Sequence, residues 1–389
     1  MENRYNSAYN MFIMGTKVKE KLFDSKVCIS GRLFELDMMK AVVAVCLAVI
    51  HVFVECTPDA ILDQRGVPYF FDSILGGPLA APMFMFAMGI GLQLGNRQPT
   101  VYLLKRGFKL IGLGLLLNVL RFLIPFLLGY AITGDQEFYL DRLPYVFFGS
   151  DILIFAGLAS LLMSLLQHFR LNRFWILGIS AAMSLGAVPL NGLDTGNQAL
   201  NIFLGHFIGI EDAAGMVESF NPLMIWFFLY VSGYFFGHYL KRLRDKDRFY
   251  KIVTPIGLII SVGFMVIESV YGFGMMGGDG VNVFYHMLLH EQIICVFCAI
   301  GFMGVYHLAL KNTPERFKNG VILISRCLTA IYVIQWVLVC WTVDFLIKIL
   351  RGTTYLDTLP ALLLGILLSV LSVVLARVWY NLRHRKKQS

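Results

Sequence analysis

The sequence predicts an all-α, polytopic integral membrane protein with about ten transmembrane helices in one bundle. Three observations predict it. Of the 389 residues, 57% are hydrophobic and only 15% charged, whereas soluble domains carry about a quarter charged residues. Apolar runs of roughly 20 residues recur along the whole length, each able to cross a hydrocarbon core of about 30 Å. The period-two alternation that a transmembrane β-barrel requires is absent.

The elements follow in order. Residues 1–35 read as a polar, mixed-charge cytoplasmic segment ahead of the first apolar run, 38–55. No A-x-A-like cleavage site follows that run, so it reads as an uncleaved span. Further spans are expected at 73–95, 102–130, 151–167 and 174–190. The stretch "NQALNIFLGHFIGI" (197–210) is too short to cross and lies in a connection without Lys or Arg. It reads as a re-entrant or interfacial helix on the outer side. The sixth span, 222–240, is expected to start with Asn221 as cap and Pro222 at the first helical position. It runs into the basic collar "KRLRDKDR". Spans at 253–271, 284–308, 322–349 and 358–380 complete a transmembrane domain over 36–380. The basic tail, 381–389 with "RHRKK", suits the inner lipid surface.

Charge sets the orientation. Six Lys and Arg fall in residues 241–252, and none in 191–221 or 272–283. This alternation continues along the chain, and the positive-inside rule then places both termini in the cytoplasm, as an even number of spans requires. The net charge of +8 does not point to nucleic acid, because the basic residues sit in the connections. Most of the seven cysteines fall inside spans and suggest no disulfide framework. Cys295 and Cys298 form a C-x-x-C within an apolar run, where buried structural thiols are expected rather than a redox pair. A bacterial plasma membrane is the compartment this favours.

Ionisable residues inside spans are costly and usually functional. Lys40 and His51 lie eleven positions apart in "ELDMMKAVVAVCLAVIHVFVECTPD" (35–59), roughly 20° past three full helical turns, and so share a face about 16 Å apart. Glu55 follows His51 by one turn. One reading is that Lys40 snorkels and His51 bonds a neighbouring helix. The other is a lined passage, with a cation at the inner end, a neutral imidazole as base near the outer mouth, and Glu55 holding its tautomer.

Lys40-x10-His51 resembles the R/K-x10-H signature of acyltransferase-3-type membrane acyltransferases. "GRLFELDMMKAV" (31–42), "APMFMFAMGIGL" (81–92), "LLKRGFKLIGLGLLL" (103–117), "DILIFAGLASLL" (151–162) and "ISRCLTAIYVIQW" (324–336) look like successive elements of their relatives around heparan-α-glucosaminide N-acetyltransferase. Lys40-Ala41 stands where that branch has Arg-Gly. The resemblance implies an acyl-CoA-dependent O- or N-acyltransferase that moves an acyl group, often acetyl from cytoplasmic acetyl-CoA, to a hydroxyl or amine of an extracytoplasmic glycan. It implies His51 as catalytic base or acyl carrier, with Glu55 beside it.

The charge layout suits that scheme. Lys40, Arg106 and Lys109 could meet a donor's phosphates on the inner side, although Arg106 and Lys109 also suit an ordinary basic helix end. Arg121, deep in the third span, could pair with a carboxylate or contact the acyl donor. On the outer side Arg142, Asp151, His286, His290 and Glu291 collect as acceptor-binding candidates, with helix capping an equal reading for Asp151. His286 and His290 have i, i+4 spacing, but Met287 stands where H-E-x-x-H needs Glu, so no metal is expected. Gln335 and Trp336 either line the passage or pack helices. There is no phosphate loop or G-x-G-x-x-G motif. The partners expected are therefore acyl-CoA, a glycan-like acceptor and the bilayer, with a homo-oligomer open. Two competing classes use the same residues: a proton-coupled transporter or flippase with His51, Glu55 and Arg121 as relay and gate, and a non-catalytic assembly protein.

Overall fold

A computed structural model describes residues 22–58, 66–95, 100–212, 215–217, 219–271 and 282–385. Among them ten helices are long and apolar enough to cross a membrane. In order these are α1 (Phe34–Cys56), α2 (Val67–Leu94), α3 (Thr100–Thr133), α4 (Glu137–His168), α5 (Arg173–Leu190), α6 (Leu223–Leu240), α7 (Lys246–Ile267), α8 (Leu289–Leu310), α9 (Glu315–Arg351) and α10 (Thr358–Arg383). The chain is an all-α polytopic membrane protein.

Helix α1 is buried on several sides, from Leu36 and Met39 to Val52 and Phe53, and packs along α9 and α10. A helix apolar all round belongs inside a bundle. Helices α2 and α6 cross so closely that a Cβ on Gly89 would lie 2.0 Å from the Tyr230 carbonyl oxygen, and one on Gly233 equally near that of Phe86. Small residues at a crossing let backbones approach where lipid offers no hydrophobic drive. The Met and Phe residues of "MFMFAM" fill the core beside this crossing, with Met83, Met85, Phe86 and Met88 all buried. Cys295 and Cys298 are likewise buried, and all seven cysteines are unpaired.

Four helices are locally underwound into π-type turns, α2 at Phe70–Gly76, α4 at Glu137–Asp141, α3 at Val119–Leu123 and α9 at Trp341–Ile347, and the last two bear on the site. The turn in α3 has a covalent cause: Pro125 has no N–H to offer the carbonyl of Arg121, four residues back. Such turns re-aim side chains and recur at functional sites. Helix α4 is broken ahead of Ile152, where Asp151 adopts an extended conformation and its carboxylate accepts the Leu153 N–H at 2.7 Å.

Two sequence expectations are corrected, the cap of α6 and the start of the eighth span. Asn221 does not cap α6; it sits at φ 58°, and Pro222 takes the cap position without a side-chain bond. Instead the Leu223 and Met224 N–H groups are met by the carbonyls of His206 and Phe207, each at 2.9 Å. The connection itself thus satisfies donors that a helix start leaves open. The stretch 197–210 holds only a seven-residue helix, Gln198–Leu204, capped by Asn197, about 10 Å long. It does not cross, as its length predicts, and an isolated parallel bridge joins Leu193 to Ile210 on either side of it. The eighth span starts at Leu289, not at 284, because a short helix over Asn282–Tyr285 ends before it. The last helix continues through Arg385. Residues 1–21 and the final lysines of "RHRKK" lie outside the described residues.

Candidate active site

Four helices bring polar groups to one place. From α1, the His51 ring stacks on Trp336 of α9, centroids 3.9 Å apart and planes 25° apart. Tyr332, one turn earlier on α9, meets the imidazole edge-on at 6.5 Å. From the π-type turn of α3, the Arg121 guanidinium lies 4.6 Å from the Trp336 ring centre. Its Nη2 donates to Asp151 Oδ2 at 3.0 Å and its Nε to Asn118 Oδ1 at 3.1 Å. The Asn118 amide is fixed in turn by donating to the Phe147 carbonyl at 2.8 Å. Tyr332 donates its hydroxyl proton to the same Asp151 oxygen at 2.7 Å. Asp151 therefore caps α4 with one oxygen and holds both an arginine and a tyrosine with the other.

This network is deeply buried: Arg121 is 5% and Asp151 4% exposed. An isolated guanidinium at that depth would be prohibitive, so the pair is kept by mutual neutralisation and by hydrogen bonds to its remaining sites. The result is a rigid frame that fixes Trp336, and through it the imidazole. Three residues at the frame carry unsatisfied groups. His51 Nδ1 and Trp336 Nε1 are buried without a hydrogen-bond partner, and so are both amide atoms of Gln335, whose residue is wholly buried. Leaving such groups unmade costs roughly 1–3 kcal/mol each. Native proteins retain buried unsatisfied groups mainly where a ligand, a water or a reaction uses them.

The outer-side candidates separate. Glu55 makes no hydrogen bond to His51, so it does not hold the tautomer. Its electrostatic neighbours are Arg142, Arg121 and Asp344. Asp344, 3% exposed in the π-type turn of α9, was not singled out in the sequence, where it is one acid in an ordinary-looking apolar run. His286 is buried, its Nε2 2.5 Å from Ser219 Oγ and its Nδ1 3.7 Å from Glu211. His290 is exposed. The i, i+4 spacing fails because the chain is extended at Leu288 between two helices. Glu291 accepts the Leu288 N–H and caps α8, a structural task. No cluster of three potential metal ligands occurs among the described residues.

Near the other end of α1, Lys40 lies within electrostatic reach of Arg106, Arg32 and Asp37. Arg32 and Asp37 form a two-point ion pair at 2.7 and 3.0 Å, and Asp37 also accepts from Ser325 of α9 at 2.6 Å. Gly91 of α2 faces the lysine, a Cβ there standing 3.7 Å from Nζ, an ordinary contact. Lys109 is exposed and Arg106 half-buried. Helix periodicity turns Lys109 about 160° from the buried Gly107, so only Arg106 joins Lys40.

A family model described as an acyltransferase domain, of the acyltransferase-3 type, matches residues 33–378. The chain belongs to the acyltransferase-3 family. No curated protein matches it. The match runs from the residue before α1 to near the end of α10, so the frame and the basic inner end both belong to this acyltransferase domain. Membrane acyl transfer is thus the general activity to which the site must be related. Tyr332 was quoted in the sequence motif "ISRCLTAIYVIQW" without a role; its hydroxyl bond to Asp151 supplies one.

Proposed function

We propose that this acyltransferase moves an acyl group, acetyl in the simplest case, from cytoplasmic acyl-CoA to a hydroxyl or amine of an extracytoplasmic glycan or other small acceptor, with His51 as catalytic base or acyl carrier. The observation that carries the reading is the imidazole of His51, clamped against Trp336 with a buried nitrogen that nothing else uses. A neutral histidine held in one orientation is suited to accept a proton at a reacting centre.

Acyl-CoA approaches from the basic inner end, its phosphates facing Lys40 and Arg106. From Lys40 to His51 is about 16 Å along α1, a distance the donor's arm must cover. The acceptor proton passes to Nδ1 as its oxygen or nitrogen attacks the thioester carbonyl. The carbon–sulfur bond then breaks, and the departing CoA thiolate takes a proton from the imidazolium. In the two-step variant His51 is acylated first and hands the group on. Gln335 provides an unspent amide N–H one residue from Trp336, suited to the oxygen that gains charge in the tetrahedral intermediate. Arg121, already neutralised by Asp151, orients rather than binds. Because Nδ1 is sealed from solvent, the reading requires the outer end to open before the acceptor enters. The motif likeness to the heparan-α-glucosaminide N-acetyltransferase branch supports an amino-sugar amine among the acceptors.

His51→Ala tests the assignment. Incubated with labelled acetyl-CoA and a panel of glycans, the variant should transfer nothing while inserting and melting like wild type. Turnover at the wild-type rate would reject the role. A burst of labelled protein before any acceptor is added would select the acyl-histidine route.

A further inference from the structure

Away from the frame, α5, α6 and α8 enclose an apolar crevice of about 340 Å³. Leu177, Phe228, Ser232, Tyr239, Ile293 and Ile300 line it, and none of the active-site groups does. It opens to the outside of the bundle, since Leu177 and Tyr239 are half-buried and Ile293 is exposed. Along α6 it runs from Phe228 to Leu240, about 18 Å at the rise of an α-helix. One leaflet's share of the hydrocarbon core is about 15 Å.

One end is closed and charged. Phe23 stands edge-on to Tyr239 and to Phe249, centroids 6.2 and 6.0 Å away. At that end Arg173, Lys241 and Arg242 all lie within electrostatic reach of His238, and none of the three pairs with a carboxylate among the described residues. Lys241 donates to the Gln93 carbonyl at 2.7 Å and Arg242 to the His238 carbonyl at 2.9 Å. Arg173 lies 5.6 Å from the Tyr239 ring centre, and its buried Nε has no partner. The carboxylates nearby in sequence are engaged elsewhere, Asp24 by Arg244 and Asp245 by the Arg248 N–H.

We infer that this crevice binds one anionic phospholipid, its acyl chain along α6 and its phosphate on Arg173 and Arg242. Three uncompensated cations at the end of a leaflet-length apolar slot match a negative headgroup joined to a hydrocarbon chain, and neither a neutral lipid nor a free phosphate satisfies both halves. The site is independent of the chemistry at His51.

The test uses the full chain in detergent, native mass spectrometry and competing ligands. Phosphatidylglycerol should be retained and phosphatidylcholine lost. Each cation near the lipid surface contributes about a five-fold factor, so the double variant Arg173→Gln, Arg242→Gln should retain phosphatidylglycerol about 25-fold more weakly. Ser232→Trp, which fills the slot, should abolish retention with the cations intact; Leu177→Trp on the opposite wall serves if that variant does not fold. Dodecyl phosphate should displace the lipid and glycerol 3-phosphate should not. Equal retention of both lipids, undiminished retention in the Trp variant that folds, or displacement by acyl-CoA but not by dodecyl phosphate would overturn the assignment.

Discussion

Asp151 bears the heaviest load in the site, and its removal is the most informative perturbation. It makes three bonds: the Leu153 cap at 2.7 Å, the Arg121 pair at 3.0 Å and the Tyr332 hydroxyl at 2.7 Å. Losing a helix cap costs about 1 kcal/mol. Removing one member of a buried ion pair costs about 3–5 kcal/mol, because the other charge is left uncompensated. Asp151→Asn keeps one acceptor oxygen for the cap but turns its amide NH2, a donor, toward Tyr332 and Arg121 and removes the counter-charge of Arg121, so it should destabilise by about 3–5 kcal/mol. Asp151→Ala should cost about 1 kcal/mol more than the Asn variant through the cap. The double variant Arg121→Met, Asp151→Leu removes both charges and should recover most of the stability, yet leave Trp336 and His51 without their frame. The assay is unfolding in detergent alongside transfer from labelled acetyl-CoA. Wild-type stability in Asp151→Asn, or full activity in the double variant, would refute the claim that this pair exists to hold the stacked rings.

Three further outcomes follow from other places in the bundle. Gly89→Ala and Gly233→Ala should each prevent folding, since the added carbon would lie 2.0 Å from a backbone oxygen, whereas Gly178→Ala on open helix surface should be neutral or gain up to about 1 kcal/mol; detergent-resistant monomer yield reads all three. Gln335→Leu should raise stability by about 1–2 kcal/mol, because two unpaired polar atoms leave the core, while slowing transfer; a stable variant with full turnover would remove Gln335 from the mechanism. His286 is held below the usual histidine range by burial, against the opposing pull of Glu211 and Ser219. The unfolded chain therefore binds the extra proton first, so this contribution is complete above about pH 6.5 and is lost as pH falls below it. The melting point of wild type should drop between pH 8 and pH 5 more than that of His286→Gln, and parallel slopes would count against it.

Much of the bundle was legible because a membrane span announces itself by length and composition alone, without knowledge of its neighbours. The register of Lys40 and His51 was legible for the same reason: both lie on one uninterrupted helix, where 100° per residue fixes their relation. The failures share a physical cause, in that each depended on a break in a helix or on a partner far along the chain. His286 and His290 would be neighbours on a continuous helix, but the extended Leu288 parts them. Glu55 looked like the natural partner of His51 one turn away, yet its electrostatic company is Arg142, Arg121 and, almost 290 positions later on α9, Asp344. Tyr332 finds Asp151 across 181 positions. Periodicity says which face of a helix is special and is silent about which other helix meets it. Arg121 was the exception, since an arginine that deep in a span demands a carboxylate, and Asp151 was already visible as a break before α4.

The state of Arg121 also bears on whether these residues form a relay and gate or a fixed catalytic frame. A gate works by exchanging partners between two states of similar free energy. Arg121 is bonded to Asp151 and Asn118, and both of those are pinned again, by the Leu153 N–H and the Phe147 carbonyl. Releasing it would strand two buried charges at once, several kcal/mol uphill before any compensating contact forms. A frame has the opposite requirement: nothing in it should move while the reacting atoms do. That is the distribution found: Arg121 and Asp151 are bonded to each other and to further partners within the protein, and the imidazole stacked on Trp336 keeps an unspent Nδ1. Arg121→Lys discriminates between the two uses. A gate keeps its charge and continues to cycle, whereas a frame loses the two-directional fork that reaches Asn118 and Asp151 together, so transfer should fall even though the charge is preserved.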